Sequence, residues 1–251
     1  MAQHFTFEYT GTEHSVSACD SLEVTYDVIA SNIKKCKRND PELNECMKSV
    51  ILSTRPYLKD GIKALKVPPM DPFALDKAKL STGYATSTFS DIKFYHANDF
   101  ELKYFKMDLD ANTIALNVTY PYMELKCVYI ADGKFINIAF HGEGDMVANF
   151  TNTNVTAVLK GERYEKNGQE YITWKTSDTK VLEDSMAYFH VSDLFRGNPE
   201  LSERLLQVFR EQQKDLTPEI IPLVADIFGQ VFLSWFNGPF SKFSLKELFD
   251  D

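Results

Sequence analysis

No stretch of this sequence is apolar over the roughly 18–20 residues that a membrane helix requires, so a helical span is not expected. Histidine is scarce. His4, His14, His96, His141 and His190 are scattered, none stands three or four residues from another or from a helical carboxylate, and no metal site is predicted. The four cysteines, Cys19, Cys36, Cys46 and Cys127, are too few for a disulfide-built scaffold and lack the paired CxxC spacing of a zinc site. Basic clusters are short, Lys34-Lys35-Cys36-Lys37-Arg38 being the longest, and the net charge of -9 is spread along the chain. Nucleic acid and stable membrane insertion are therefore poor prospects. No G-x-S-x-G elbow, kinase signature or cysteine nucleophile motif occurs, so no catalytic residue and no cofactor are assigned. Gly142-Glu143-Gly144-Asp145 begins like a phosphate loop, but the third glycine is missing and strand pattern follows, so a tight strand-to-strand turn is expected there.

What the chain has in quantity is aromatic side chain: 19 Phe and 12 Tyr among 251 residues, enough to line something apolar and wide. Residues 1–30 carry neither the basic start nor the apolar block of a secretory signal and read as a polar, poorly ordered extension. A single domain is expected over residues 31–251. From Pro41 the residues Leu43, Met47, Val50, Ile51, Leu58, Ile62 and Leu65 recur at three- and four-residue steps, the mark of an amphipathic helix, with a kink at Pro56. Val67-Pro68-Pro69-Met70-Asp71-Pro72-Phe73 then forces an extended connection.

Asp40-Pro41 reads as a helix start, with Asp40 as cap and Cys46 on the second turn. Cys36 falls in the loop before it, close enough to bridge to Cys46; two unpaired thiols are the alternative.

From about Leu80 to Phe195 alternation replaces the helical period, predicting successive antiparallel strands. Ile114, Leu116, Val118 and Tyr120 share a face, and so do Leu125, Cys127 and Tyr129 on the next strand. A turn is expected at Ala131-Asp132-Gly133, after which Ile136, Ile138 and Phe140 resume the apolar face. Parity changes between Met146, Ala148, Phe150 and Val155, Ala157, Leu159, which predicts a bulge near Thr151 to Asn154. The sequon residues Asn117, Asn149 and Asn154 all take the outward parity, as glycosylation in a secreted protein would require. After Asn198-Pro199 the helical period returns through Leu201 to Trp235, as one long helix or two in line with a fresh cap at Thr217-Pro218-Glu219. Its later half, Leu223 to Phe236, has an apolar arc too broad for a surface helix and must be wrapped on several sides.

Five stretches, in order and in register, resemble the takeout and juvenile hormone binding protein family of insects. They are Ile33 to Lys37 leading to Asn44-Glu45-Cys46; Arg55-Pro56-Tyr57-Leu58 with Gly61-Ile62; Val67 to Pro72; Gly133 followed by Gly142-Glu143-Gly144; and Leu194-Phe195-Arg196-Gly197-Asn198 before Leu201-Ser202. The resemblance implies an α+β fold, in which a strongly curved antiparallel β-sheet wraps a long helix and encloses an elongated apolar tunnel, with a disulfide at Cys36 and Cys46. Residues 1–30 depart from the family's signal peptide, Phe209-Arg210-Glu211-Gln212 departs from a stretch common in the last helix, and Cys19 and Cys127 do not complete a second bridge. The missing second bridge favours the takeout-like branch.

The expected function is extracellular binding and transport of a small apolar ligand by a monomer, without catalysis. The expected lining set is Phe89, Phe94, Tyr120, Tyr122, Phe140, Phe150, Tyr188, Phe228, Phe232 and Trp235. Two other readings are a module that presents its ligand to a receptor and an esterase acting on a lipophilic ester.

Overall fold

The computed structural model describes residues 35–81, 83, 85–135, 138–181, 186–195, 197–211 and 213–251. The polar extension, residues 1–30, lies outside these, and so does Cys19.

Two very long strands organise the molecule. β5 (Thr113–Phe135) and β6 (Ile138–Lys166) form an antiparallel hairpin that keeps one register from Thr113↔Lys160 to Phe135↔Ile138. Different strands flank its two halves. Beside the half near residues 136–137, β3 (Ala85–Tyr95) pairs with β5, β2 (Phe73–Ser81) pairs with β3, and β8 (Met186–Val191) pairs with β6. Beside the other half, β4 (Glu101–Asp108) pairs with β5 and β7 (Gln169–Val181) with β6. All these pairings are antiparallel, and one continuous curled sheet results.

The predicted parity change is present on both strands of the hairpin. Tyr120 and Met123 of β5 are buried while Pro121 and Tyr122 between them are exposed; opposite them, Phe150 and Thr153 of β6 are buried on either side of Thr151 and Asn152. Register is kept, so this is a paired kink rather than the expected one-sided bulge. Pro121 has no amide donor for the ladder, and Asn152 takes a left-handed conformation with φ of 50°.

Two expected turns are strand instead. Ala131-Asp132-Gly133 continues β5 and pairs with Gly142-His141-Phe140 of β6, and Gly142 to Asp145 also lies within β6. The glycines serve a close approach: a Cβ on Gly142 would sit 2.8 Å from the Tyr129 hydroxyl and 3.0 Å from Leu194 Cα, and one on Gly144 2.4 Å from Ser192 Oγ. Room for the chain at Ser192–Leu194, not a reversal, is what these positions require.

The sheet begins at Phe73 rather than Leu80. Phe73, Leu75, Ala78 and Leu80 point inward, but a parity slip at Asp76-Lys77 obscures the alternation. The first helix, α1 (Leu43–Thr54), is shorter than its apolar period, ending before a 3-10 turn at Arg55–Tyr57, because Pro56 has no amide to continue the ladder. Its start also differs. Asp40 Oδ1 accepts from the Glu42 amide at 2.8 Å and closes a turn ahead of the helix, so Cys46 stands in the first helical turn, its amide donating to Glu42 O at 3.0 Å.

α2 (Pro199–Glu211) precedes α3 (Gln213–Lys242), which runs unbroken through the expected cap at Thr217–Glu219. Packing of its apolar arc outweighs the local proline signal. At a rise of about 1.5 Å per residue this helix extends for roughly 45 Å, lying chiefly along β7. Leu223, Val224, Ala225, Ile227, Phe228, Val231 and Phe232 are buried on it, which is the wrapping its breadth demanded. A short α4 (Leu245–Leu248), closed by a Ser244–Glu247 capping box, leads to β9 (Phe249–Asp250). β9 pairs in parallel with β1 (Cys36–Lys37), so Cys36 lies in a strand rather than a loop. That pairing of the two ends of the described chain has no sequence signal.

Candidate functional site

An apolar cavity of about 430 Å³ lies where these ends meet. One wall is the α1 face carrying Met47, Val50 and Ile51, continued by Leu58, Ile62 and Leu65. The facing wall comes from the C-terminal half of α3, Trp235, Phe236 and Phe240, with Phe100 between them, and the β1–β9 clasp closes the side through Cys36, Leu248 and Phe249. Lys35 and Glu247 are its charged residues. The α1 face is the helical stripe legible in the sequence; only its role as a cavity wall was not.

Four local features hold the walls in place. Cys36 and Cys46 form a disulfide with Cα atoms 5.8 Å apart, which ties β1 to the first turn of α1. Asn44 Oδ1 on α1 accepts from the Met107 amide at 2.7 Å, which fastens the helix to β4. Gly238 lets α3 approach the backbone, since a Cβ there would come within 2.7 Å of the carbonyl oxygens of Leu65 and Lys66. Asn237 adds a bidentate clamp, accepting from the Trp174 amide and donating to its carbonyl, both at 2.8 Å.

The structure divides the ten expected lining residues. Phe94, Tyr120, Phe150, Phe228 and Phe232 are buried in the main core, with Trp235 partly buried against it. Phe140 belongs to a second cluster with Tyr129, Leu194, Leu205 and Leu206 beneath α2, and Phe89 packs against both clusters. Only Trp235 of the ten also borders the cavity described above. Tyr122 and Tyr188 are on the outer face, 39% and 46% exposed, and cannot line the interior. Tyr122 follows the Pro121 kink that reverses parity, and Tyr188 is paired with the outward Asn149.

The sheet's sequon residues do lie on the face away from the core, each between two buried neighbours, and each is itself half-buried. Cys127 is a buried free thiol, its pKa pushed up to about 12 by burial, which makes it a poor nucleophile. No group of three potential metal ligands gathers among the described residues, and no helix among them is long and apolar enough to cross a membrane.

The family model for haemolymph juvenile hormone binding protein matches residues 15–250. The chain belongs to this family. Its match begins inside the stretch that composition sets apart as an extension. Members similar to this chain include the circadian clock-controlled protein daywake of Drosophila melanogaster, 26% identical over 237 residues with 86% of this chain and 88% of that protein covered. The daywake protein of Drosophila yakuba is 23% identical over 234 residues, with the same coverage of 86% and 88%. The crystal structure of Takeout 1 from Epiphyas postvittana superposes with a TM-score of 0.74 at 21% identity, covering 87% of this chain and all of that one. The curled antiparallel sheet around a long helix is thus the family fold, and membership places this chain among proteins that bind small hydrophobic ligands.

Proposed function

We propose that the protein is an extracellular carrier that holds a small apolar ligand in its interior and transports it without chemical change. The cavity between α1, α3 and the β1–β9 clasp carries this reading. Its volume of about 430 Å³ suits a small lipophilic molecule, and its walls are almost wholly aliphatic and aromatic. Each 100 Å² or so of apolar ligand surface removed from water there contributes about 2.5 kcal/mol. The eight inward members of the expected set, Phe89, Phe94, Tyr120, Phe140, Phe150, Phe228, Phe232 and Trp235, extend the apolar interior beyond the cavity.

Transport rather than catalysis accords with how the buried serine hydroxyls are engaged. Ser202 Oγ donates to Asn198 O at 3.0 Å and accepts from the Phe195 amide at 2.9 Å, while Ser244 Oγ donates to Glu247 at 2.7 Å. Both act as structural pins. A location outside the cell is supported by the Cys36–Cys46 disulfide, which persists in oxidising compartments, and by the outward parity of Asn117, Asn149 and Asn154.

Native mass spectrometry of the protein, followed by organic extraction, tests the carrier reading. A monomer retaining a small apolar molecule, displaced stoichiometrically by an apolar fluorescent probe, is the expected result. A protein that neither retains such a molecule nor takes up the probe would overturn it.

A further inference from the structure

Tyr122 and Tyr188, the two tyrosines that the fold turns away from the interior, flank one sequon. Asn149 of β6 pairs directly with Tyr188 of β8, and Thr151, the threonine of the same sequon, pairs directly with Tyr122 of β5. Ala148 and Phe150 point inward on either side of Asn149, so the asparagine, the threonine and both rings share the outer face. Directly opposed residues on one face of a sheet have Cβ atoms about 4.5–5.5 Å apart, which sets each ring beside its sequon residue. The Pro121 kink is what brings Tyr122 there, and the His96 ring, 5.6 Å away between centroids, packs beside it.

Single exposed aromatic residues are ordinary, but two set against the two defining residues of one sequon call for an occupant. The asparagine itself points the same way. Its Oδ1 is the buried side of the amide and has no hydrogen-bond partner. Glu124, its neighbour across β5, is engaged by Lys126 at 2.6 Å, and Lys126 in turn lies 5.1 Å over the Tyr95 ring. A planar amide with its oxygen turned inward carries its nitrogen on the opposite side of Cγ, and that nitrogen is the atom a sugar is attached to. Asn117 and Asn154, by contrast, direct their amide nitrogens at each other.

We propose that Tyr122 and Tyr188 form a platform on the outer face for an N-linked glycan of Asn149, packing against the C–H faces of its first N-acetylglucosamine residues. This rests on the extracellular part of the reading above, because the sugar is added in the secretory compartments. The covalent step is the one common to all sequons: the amide nitrogen displaces the pyrophosphate-linked lipid carrier from the anomeric carbon of an oligosaccharide and loses a proton. Tyrosine suits the packing that follows, since its ring offers an apolar face to the sugar ring and its hydroxyl a polar tip to the sugar hydroxyls. The strands already hold both rings in place, so little freedom remains to be lost. Attachment also makes the contact intramolecular, and a weak stacking interaction is enough at the effective concentration this gives.

Thermal melts of the full chain secreted from insect cells, compared with the same chain made without sugar in a bacterial periplasm, test this. Glycopeptide mapping of the secreted protein should find Asn149 occupied. Tyr188→Ser should lower the midpoint of the glycosylated form by about 2 °C or more beyond its effect on the bare form, the shift that one modest contact gives in a chain of this size. Tyr188→Phe keeps the ring and should retain most of that difference. Tyr122→Ser is the second variant should Tyr188→Ser fail to fold. Both rings are on the outer face, so uptake of an apolar fluorescent probe should be the same in all variants. An unmodified Asn149, or a serine effect equal in the two forms, overturns the platform and leaves the interior carrier standing. A wild type that is glycosylated and shows the difference but takes up no probe overturns the carrier and leaves the platform.

Discussion

Asn117 and Asn154 hold each other across the central hairpin, Asn117 Nδ2 donating to Asn154 Oδ1 at 3.2 Å and Asn154 Nδ2 returning a bond to Asn117 Oδ1 at 3.4 Å. Asn154 Nδ2 also reaches Thr119 Oγ1 at 3.3 Å. Both residues head sequons, and the nitrogen that would carry a sugar is in each case directed at the other side chain. A glycan on one amide occupies the space of its neighbour. Glycopeptide mapping of protein secreted from insect cells should therefore find at most one of the two occupied in any molecule. Chains carrying both would show that this pairing does not govern modification.

The disulfide closes a separation of ten residues, for which loop-closure entropy corresponds to about 2–3 kcal/mol. Replacing Cys36 and Cys46 together by Ser should lower stability by that amount in denaturant unfolding. Because the bridge also anchors β1 beside the cavity, probe affinity should fall in the same variant. Peptide mapping of the wild type without reduction should show the two residues linked.

Phe232 and Ile51 separate packed core from open cavity. Phe232 is 1% exposed, with rings of Phe228 and Trp235 against it, so Phe232→Trp should overpack and cost roughly 1–3 kcal/mol. Ile51 borders the cavity. Ile51→Trp should change stability less, by about 1 kcal/mol or under, and weaken apolar probe binding about tenfold, equivalent to about 1.4 kcal/mol. Equal destabilisation of the two variants would show that the cavity wall is packed like core.

Arg163 joins two hairpins and gives the fold a dependence on acid. Its Nε donates to Asn112 Oδ1 at 2.8 Å and its Nη1 to Glu170 Oε1 at 2.7 Å, with Arg38 3.5 Å from the same carboxylate. The hydrogen bond from Arg163, with lesser contributions from the charges of Arg163 and Arg38, lowers the Glu170 pKa below its usual 4.5. A carboxyl depressed in the folded state contributes stability that is complete above the unfolded value and is lost as pH falls through the folded one. Thermal melts from about pH 7 to about pH 3 should therefore show a shallower acid decline for Glu170→Gln than for wild type. At neutral pH the variant should melt slightly lower, and added salt should narrow the gap because Glu170 is 43% exposed.

How far the sequence could be read depends on the range of the interactions involved. The stripe of Met47, Val50 and Ile51, the broad arc from Leu223 to Phe236, and the alternation along β5 and β6 are repeats imposed by backbone geometry within one element. Cys36 and Cys46 are close in the chain, so their meeting needed only a local turn. Tyr122 illustrates where this ends. Its parity follows from Ile114 to Tyr120 only if the strand runs straight, and the reversal at Pro121 depends on a matching left-handed Asn152 on another strand.

By itself, then, the sequence determined the helical and strand faces, the short disulfide loop and the family pattern, because each is written in residues a few positions apart. Tertiary structure alone decided that Gly142 and Gly144 stay in a strand, since their requirement is space for Ser192–Leu194, distant in the chain. It decided the cavity too, whose walls come from α1, α3 and the paired strands at Cys36 and Phe249. And it decided that Phe100 packs against both Tyr120, at 6.3 Å between ring centroids, and Trp235, at 5.9 Å, because which rings meet is set by everything packed around them and not by their neighbours in sequence.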